Sequence, residues 1–229
     1  GLWMLPQEVA EARRQGLKVG MHYNFIRRDG IPMIDDPGYT EWMHEVVKRE
    51  IRKMDPAFLF FDGSFRSTPE KLRTPELLAW YYNRADRYGQ EVLVNSDVAG
   101  SEQRAHGDIW ECEQRTMSGI CEHPWMNWEP LRNEWNCWIN EFGKHRIRGE
   151  RWEWKYKSTE NLLRVLLDVV SKGGVWCVQM VNTKRAWKRM EQIGNWLDVN
   201  GEAIYGTRPL HAQEDPVHEI PEGWKGTWW

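Results

Sequence analysis

Residues 57–65 read AFLFFDGSF, an aromatic and aliphatic run that drives straight into one carboxylate, Asp62. An ionised carboxylate at the end of an apolar strand is costly unless something offsets it. Two other extended runs also end in polar groups, one at His22-Tyr23-Asn24 and one at Asn95-Ser96-Asp97. A turn or a helix cap is the ordinary alternative for each of these ends. The carboxyl ends of parallel strands are also where α/β barrels and open sheets place their active sites. A strand-end aspartate suits nucleophilic cleavage of a glycosidic bond, provided a second carboxyl group with a raised pKa serves as acid and base. The segment GDIWECEQRT offers Glu111 and Glu113 for that second role, and NWEP offers Glu129. A retaining mechanism needs its two carboxyl groups about 5–5.5 Å apart.

Other chemistries find less support. There is no G-x-S-x-G elbow for a hydrolase serine, no phosphate loop and no dinucleotide glycine fingerprint. His44, His106, His145, His211 and His218 have no ligand spacing to one another, and His123 in CEHPW reads as a loop histidine. No metal and no cofactor are expected.

Helical and extended patterns alternate along the chain, which predicts α/β construction with parallel strands. QEVAEARRQG reads as a helix stopped by Gly16, and LKVGMHYNF as the strand that follows. YTEWMHEVVKREIRKM carries apolar residues at helical spacing and ends before Pro56. The nearly continuous apolar run AFLFFDG predicts a strand covered on both faces. TPELLAWYYNRADRYG predicts a helix with Thr74 as N-cap and Pro75 at its first position. EVLVNSD is the next strand. Residues 100–156 read as a long irregular connection, of the kind that often carries function, with one further strand near NCWINEF. STENLLRVLLDVVSKGG predicts a helix opened by Ser158 and closed by Gly173-Gly174, followed by the strand VWCVQMV and a helix from AWKRMEQIGNWLDVNG to Gly201.

With 229 residues, the chain has room for one sizeable domain. Its 31 Lys and Arg balance 34 Asp and Glu without a like-charge block, so nucleic acid is not an expected partner. No run approaches the roughly 18 apolar residues of a membrane span, and no membrane association is expected. The four cysteines, Cys112, Cys121, Cys137 and Cys177, lack zinc-ligand spacing and read as reduced thiols. With no signal-like apolar segment at the start of the sequence, they favour the cytoplasm, though the compartment stays unassigned. The 16 tryptophans fit sugar-stacking walls, and core or subunit interface is the alternative for any one of them.

The succession GLKVGMHYN, FLFFDG, EVLVNSD, GDIWECEQ, NWEP, LLRVLLDVVSKGG and IGNWLDVNGEAIYGTRP resembles the α-L-fucosidases of glycoside hydrolase family 29, over about residues 5–209. LLDVVSKGG followed by WLDVNGEAIYGTRP is the most specific part. The resemblance implies retaining enzymes on an irregular (β/α)8-like barrel, usually with a C-terminal β-sandwich. It implies that Asp62 is the nucleophile, through FFDG, and that Glu113 is the acid/base, with Glu111 and Glu129 as alternatives. The implied sugar contacts are His22, Tyr23, Asn95, Trp110 and Trp128, and the implied ligand is a fucosylated glycan or a small α-L-fucoside.

Several family features are missing from the pattern. Ser96-Asp97 stands where an arginine often follows the third motif's Asn, and VNTKRAW replaces a Gly-Pro turn. The family's first three strands and its sugar-gripping histidine pair would fall before residue 1, and no β-sandwich is expected. The expected fold is therefore a truncated, TIM-type barrel with roughly its strands 4–8. Residues 1–210 form that partial catalytic domain and residues 211–229 a Trp-rich tail. Open sheet edges invite pairing, so a homo-oligomer that completes the barrel and the sugar pocket is expected. A catalytically impaired sugar-binding remnant, or a retaining glycosidase of different sugar preference, is the alternative function.

Overall fold

A computed structural model describes residues 6–24, 36–62, 67–96, 107–132, 146–147, 150–151, 156–180 and 183–210. The chain divides into two compact units, Gly1–Trp110 and Glu111–Trp229.

In the first unit, α1 (Pro6–Arg14) precedes β1 (Gly20–Asn24), and α2 (Tyr39–Met54) leads into β2 (Phe58–Asp62). A short α3 (Pro69–Leu72) and α4 (Thr74–Arg87) come before β3 (Leu93–Ser96). The three strands form a sheet in the order β1-β2-β3, and both pairings are parallel. Side chains alternate across a strand, so the register sorts them into two faces. Met21, Leu59, Phe61 and Val94 face α2 and α4, where they pack with Met43, Val47, Ile51, Leu77 and Tyr81 in one core cluster. His22, Asn24, Phe60, Asp62 and Asn95 lie on the other face. The continuous apolar run of β2 reflects burial on both sides: Leu59, Phe60 and Phe61 are all buried.

The helix at 74–87 starts differently from the sequence expectation. Thr74 is not a cap; it is the first helical residue, and Arg73 takes the N-cap place in a left-handed conformation (φ 49°). The capping threonine is Thr68, whose side chain accepts a hydrogen bond from the Lys71 N–H and opens α3. A Thr-Pro pair occurs at both places, and only the first has the extended backbone a cap requires.

In the second unit, β4 (Trp110–Glu113), β5 (Trp125–Pro130) and β8 (Gly174–Gln179) form a sheet in that order, with β5 and β8 parallel. The short β6 (Arg146–Ile147) and β7 (Glu150–Arg151) pair antiparallel. Helices α5 (Thr159–Ser171) and α6 (Lys184–Asn200) pack on one face of β5 and β8, where Leu131, Leu162, Ala186 and Ile193 gather Trp176 and Val178 around them. Ser158 caps α5 as expected, its hydroxyl accepting from the Asn161 N–H at 3.1 Å. Thr183 caps α6 in the same way. A 3-10 turn at Gly201–Ala203 follows α6.

Two strands of the second unit's main sheet, β4 and β5, lie inside the stretch 100–156 that was expected to be irregular, as do the short β6 and β7. Neither β4 nor β5 has a long apolar run or a clean alternation. The strand expected near NCWINEF and the tail 211–229 lie outside the described residues, as does Cys137. Among the described residues, no helix is long and apolar enough to cross a membrane.

Candidate active site

The first unit places Asp62 at the carboxyl end of the central strand of its sheet. Its register partner on β1 is Asn24, and the row behind it contains His22, Phe60 and Asn95. The Asn24 Nδ2 donates to Asp62 Oδ2, and His22 Nε2 lies 3.3 Å from the same oxygen. Both interactions fall on Oδ2, and Oδ1 carries no hydrogen bond to any described residue. The carboxylate is partly open, with 25% of its side chain exposed, beside a His22 side chain that is 34% exposed. His22 is itself backed by Phe60, with ring centroids 5.2 Å apart. A strand-end carboxylate that is reachable, oriented through one oxygen and open at the other can act as a nucleophile.

Asn24 was not among the expected site residues. Its position two residues beyond His22 puts it on the same face, and that alternation was the signal available in the sequence. Tyr23, which was expected beside His22 as a sugar contact, departs for the same reason. It points to the helix-covered face, packs against the core cluster, and meets the Phe61 ring edge-on at 6.4 Å. Burial, with added contributions from the charge and hydrogen bond of Tyr39, pushes its phenol far above the ordinary tyrosine range. Asn95 shares the row of His22 and Phe60 but is wholly buried.

In the second unit, the three candidate carboxylates separate. On β4, Glu111 and Glu113 share one face by alternation, and Trp110 and Cys112 share the other. Glu111 lies close enough to Cys177 on β8 to act on its thiol, which is pushed up to about 11, first by burial and then by that negative charge. Trp128 is the register partner of Cys177, so it shares this face, away from α5 and α6. Glu129 lies on the opposite, helix-covered face as the register partner of Val178. It is 5% exposed and forms a buried ion pair with Lys157 Nζ. Glu111, Glu113 and Trp128 therefore share a face from which Trp110 and Glu129 are excluded. A carboxylate locked to a buried ammonium is poorly placed to exchange protons with a ligand.

Glu113 is followed by Gln114, a non-glycine residue with φ 50°, which ends β4 in a tight turn. The Gln114 N–H donates to Trp128 O at 2.9 Å, tying this turn to β5. Cys112, Cys121 and Cys177 are free thiols. Among the described residues, no group of three or more His, Cys, Asp or Glu side chains is placed to hold a metal ion.

An α/β chain with parallel sheets and carboxylates at strand ends fits the class of barrel-type glycoside hydrolases. The α-L-fucosidase family model matches residues 6–202, and the chain belongs to that family, glycoside hydrolase family 29. It is 28% identical to an α-L-fucosidase of Branchiostoma floridae, over 70% of this chain and 35% of that protein. With human plasma α-L-fucosidase it shares 26% identity over 95% of this chain and 47% of the relative. The chain thus spans about half the length of these relatives, or less. Among solved structures, it resembles Thermotoga maritima α-fucosidase in complex with a mechanism-based inhibitor. That match has a TM-score of 0.65 and 22% identity, and covers 91% of this chain and 48% of the other. It also resembles a family 29 α-L-fucosidase from Bacteroides thetaiotaomicron, with TM-score 0.65, 16% identity, and coverage of 89% and 51%. These likenesses establish an α/β fold that matches part of the family's barrel domain.

Proposed function

We propose that this chain carries the catalytic groups of a retaining α-L-fucosidase. Asp62 attacks the anomeric carbon of a terminal α-L-fucoside through Oδ1, the oxygen that His22 and Asn24 leave open. Glu113 gives its proton to the departing glycosidic oxygen as that bond breaks, and a fucosyl–aspartyl ester forms. Glu113, now ionised, takes a proton from water, which attacks the anomeric carbon and releases fucose with its configuration retained. His22 and Trp128 are the sugar contacts that accord with this placement.

The observation that carries the reading is the strand-end Asp62, oriented by two side chains through a single oxygen, in a chain of this family. The reading also assigns residues 1–210 to a partial barrel and residues 211–229 to an appended tail. It includes a homo-oligomer, and light scattering that gave an active monomer would remove that part.

The test is release of nitrophenol from an aryl α-L-fucoside by the wild type and by Asp62→Asn, with the fold of each checked by circular dichroism. The variant is expected to lose turnover by about 10³-fold or more while keeping its fold. Near wild-type turnover in Asp62→Asn would refute the nucleophile. A folded wild type that binds fucose without turning over would instead be a sugar-binding protein, and preference for another glycoside in a panel would reassign the substrate.

A further inference from the structure

We infer that Asn127 is a positioning residue for Glu113, one that acts by holding the backbone on either side of it. The inference rests on the assignment of Glu113 as acid/base and adds the device that fixes its place.

Asn127 lies in the middle of β5 and is wholly buried. Its side-chain Nδ2 donates to Arg115 O at 2.9 Å and, at a longer 3.4 Å, to Cys112 O. These two carbonyls bracket Glu113 and Gln114. Between them the chain leaves the strand through the left-handed Gln114, a conformation that a non-glycine residue adopts only when its surroundings enforce it. Gln114 N–H is fixed in turn to Trp128 O at 2.9 Å. The turn that follows Glu113 is therefore held by consecutive residues of β5, through a side chain at 127 and a carbonyl at 128.

The amide has one serviceable orientation. Turned over, its oxygen would face two carbonyl oxygens. In the orientation observed, Oδ1 is buried with no hydrogen-bond partner among the described residues. An unsatisfied buried acceptor is a cost, and an apolar residue of the same volume would avoid it. What Asn127 supplies in exchange is the pair of bonds from Nδ2, and both end at the turn carrying Glu113. Proton transfer is steep in distance, and a displacement of about 1 Å costs on the order of a hundredfold in rate.

The test compares wild type with Asn127→Leu, which keeps the number and branching of the side-chain heavy atoms, removes both bonds and removes the unsatisfied oxygen. Two measurements are made on each protein. The first is kcat/KM for two fucosides, one with a dinitrophenol leaving group that needs no proton and one with an alkyl leaving group that does. The second is amide hydrogen exchange across residues 112–117. The expected result is a loss of about a hundredfold on the alkyl fucoside, a loss under about threefold on the dinitrophenyl fucoside, and faster exchange confined to residues 112–117. Equal losses on both substrates would overturn the inference, because a general structural defect does not distinguish leaving groups. Unchanged exchange at residues 112–117 would overturn it as well.

A wild type that hydrolyses no fucoside defeats the catalytic reading instead, and the exchange data then decide alone whether Asn127 orders this turn. If Asn127→Leu does not fold, Asn127→Ser, whose shorter side chain cannot bridge the two carbonyls, serves the same comparison.

Discussion

Gly174→Ala tests how tightly the second unit is built around its candidate site. Gly174 is the first residue of β8 and the register partner of Trp125 on β5. A Cβ at this position would sit 2.4 Å from Trp125 Cε2, 2.5 Å from Cζ2 and 2.9 Å from Cδ2. Carbon atoms in contact rest at about 3.5–4.0 Å, so each of these approaches is too close by roughly half an ångström or more, and two of them by about 1 Å. The indole cannot swing aside cheaply. It is wholly buried, and its Nε1 donates to Lys172 O at 3.0 Å. Overpacking of this kind costs about 1–3 kcal/mol, and losing the indole hydrogen bond costs about 1 kcal/mol more. The expected loss is therefore about 2–4 kcal/mol, read by urea unfolding, or about 5–15 °C in Tm for a chain of this size. Trp125→Leu should cost stability alone, yet should relieve part of the Gly174→Ala penalty in the double variant, giving a coupling of opposite sign. A Gly174→Ala protein within 0.5 kcal/mol of wild type, or strict additivity of the pair, would refute this packing argument.

The remaining predictions follow from single contacts. Asn24→Ala removes a charge-assisted hydrogen bond from Asp62 at an exposed position. It should lower kcat/KM for an aryl α-L-fucoside by about 10–100-fold while leaving the unfolding midpoint in place, and unchanged kinetics would count against Asn24. Glu129→Ala strands the Lys157 ammonium, which is only 16% exposed, and should cost about 3–5 kcal/mol. Glu113→Ala should cost far less stability but most of the activity, and the reverse pattern would exchange the two roles. The Cys177 thiol sits at about 11 in the folded chain, above its ordinary value near 9. Between those values the unfolded chain has lost the proton and the folded chain retains it. The stabilisation is thus complete below about pH 9 and is lost as pH rises towards 11, a fall of about 2–3 kcal/mol. Cys177→Ala should lack this component, which is read as the difference between the two proteins' stability–pH curves; parallel curves would contradict it.

Much of the first unit was legible from residue order. The apolar run into Asp62 predicted a strand buried on both faces, and Leu59, Phe60 and Phe61 are buried as that requires. Gly16 marked a helix stop there, as Ser158 marked a helix start in the second unit, because each supplies a backbone or side-chain feature that a helix end needs. The second unit was harder to read. β4 and β5 are short, mix Trp with Glu and Asn, and owe their pairing to partners distant in sequence, so no local period announces them. The same limit explains the site. Residue types nominated Asp62, Glu111, Glu113 and Glu129 alike, but only register could show that Glu129 faces the helices and pairs with Lys157. Tyr23 was misplaced for a simpler reason, since neighbours along a strand point to opposite faces and His22 and Tyr23 cannot share a site-facing side.

The most direct test of the central claim is to trap the ester. The protein is incubated with a 2-deoxy-2-fluoro-α-L-fucosyl donor bearing a good leaving group, digested with pepsin and mapped by mass spectrometry. Asp62 acting as nucleophile predicts one added fluorofucosyl group on the peptide spanning AFLFFDGSF, absent from Asp62→Asn. A label on any other carboxylate, or an intact protein that turns over fucosides without ever carrying the label, would contradict the account.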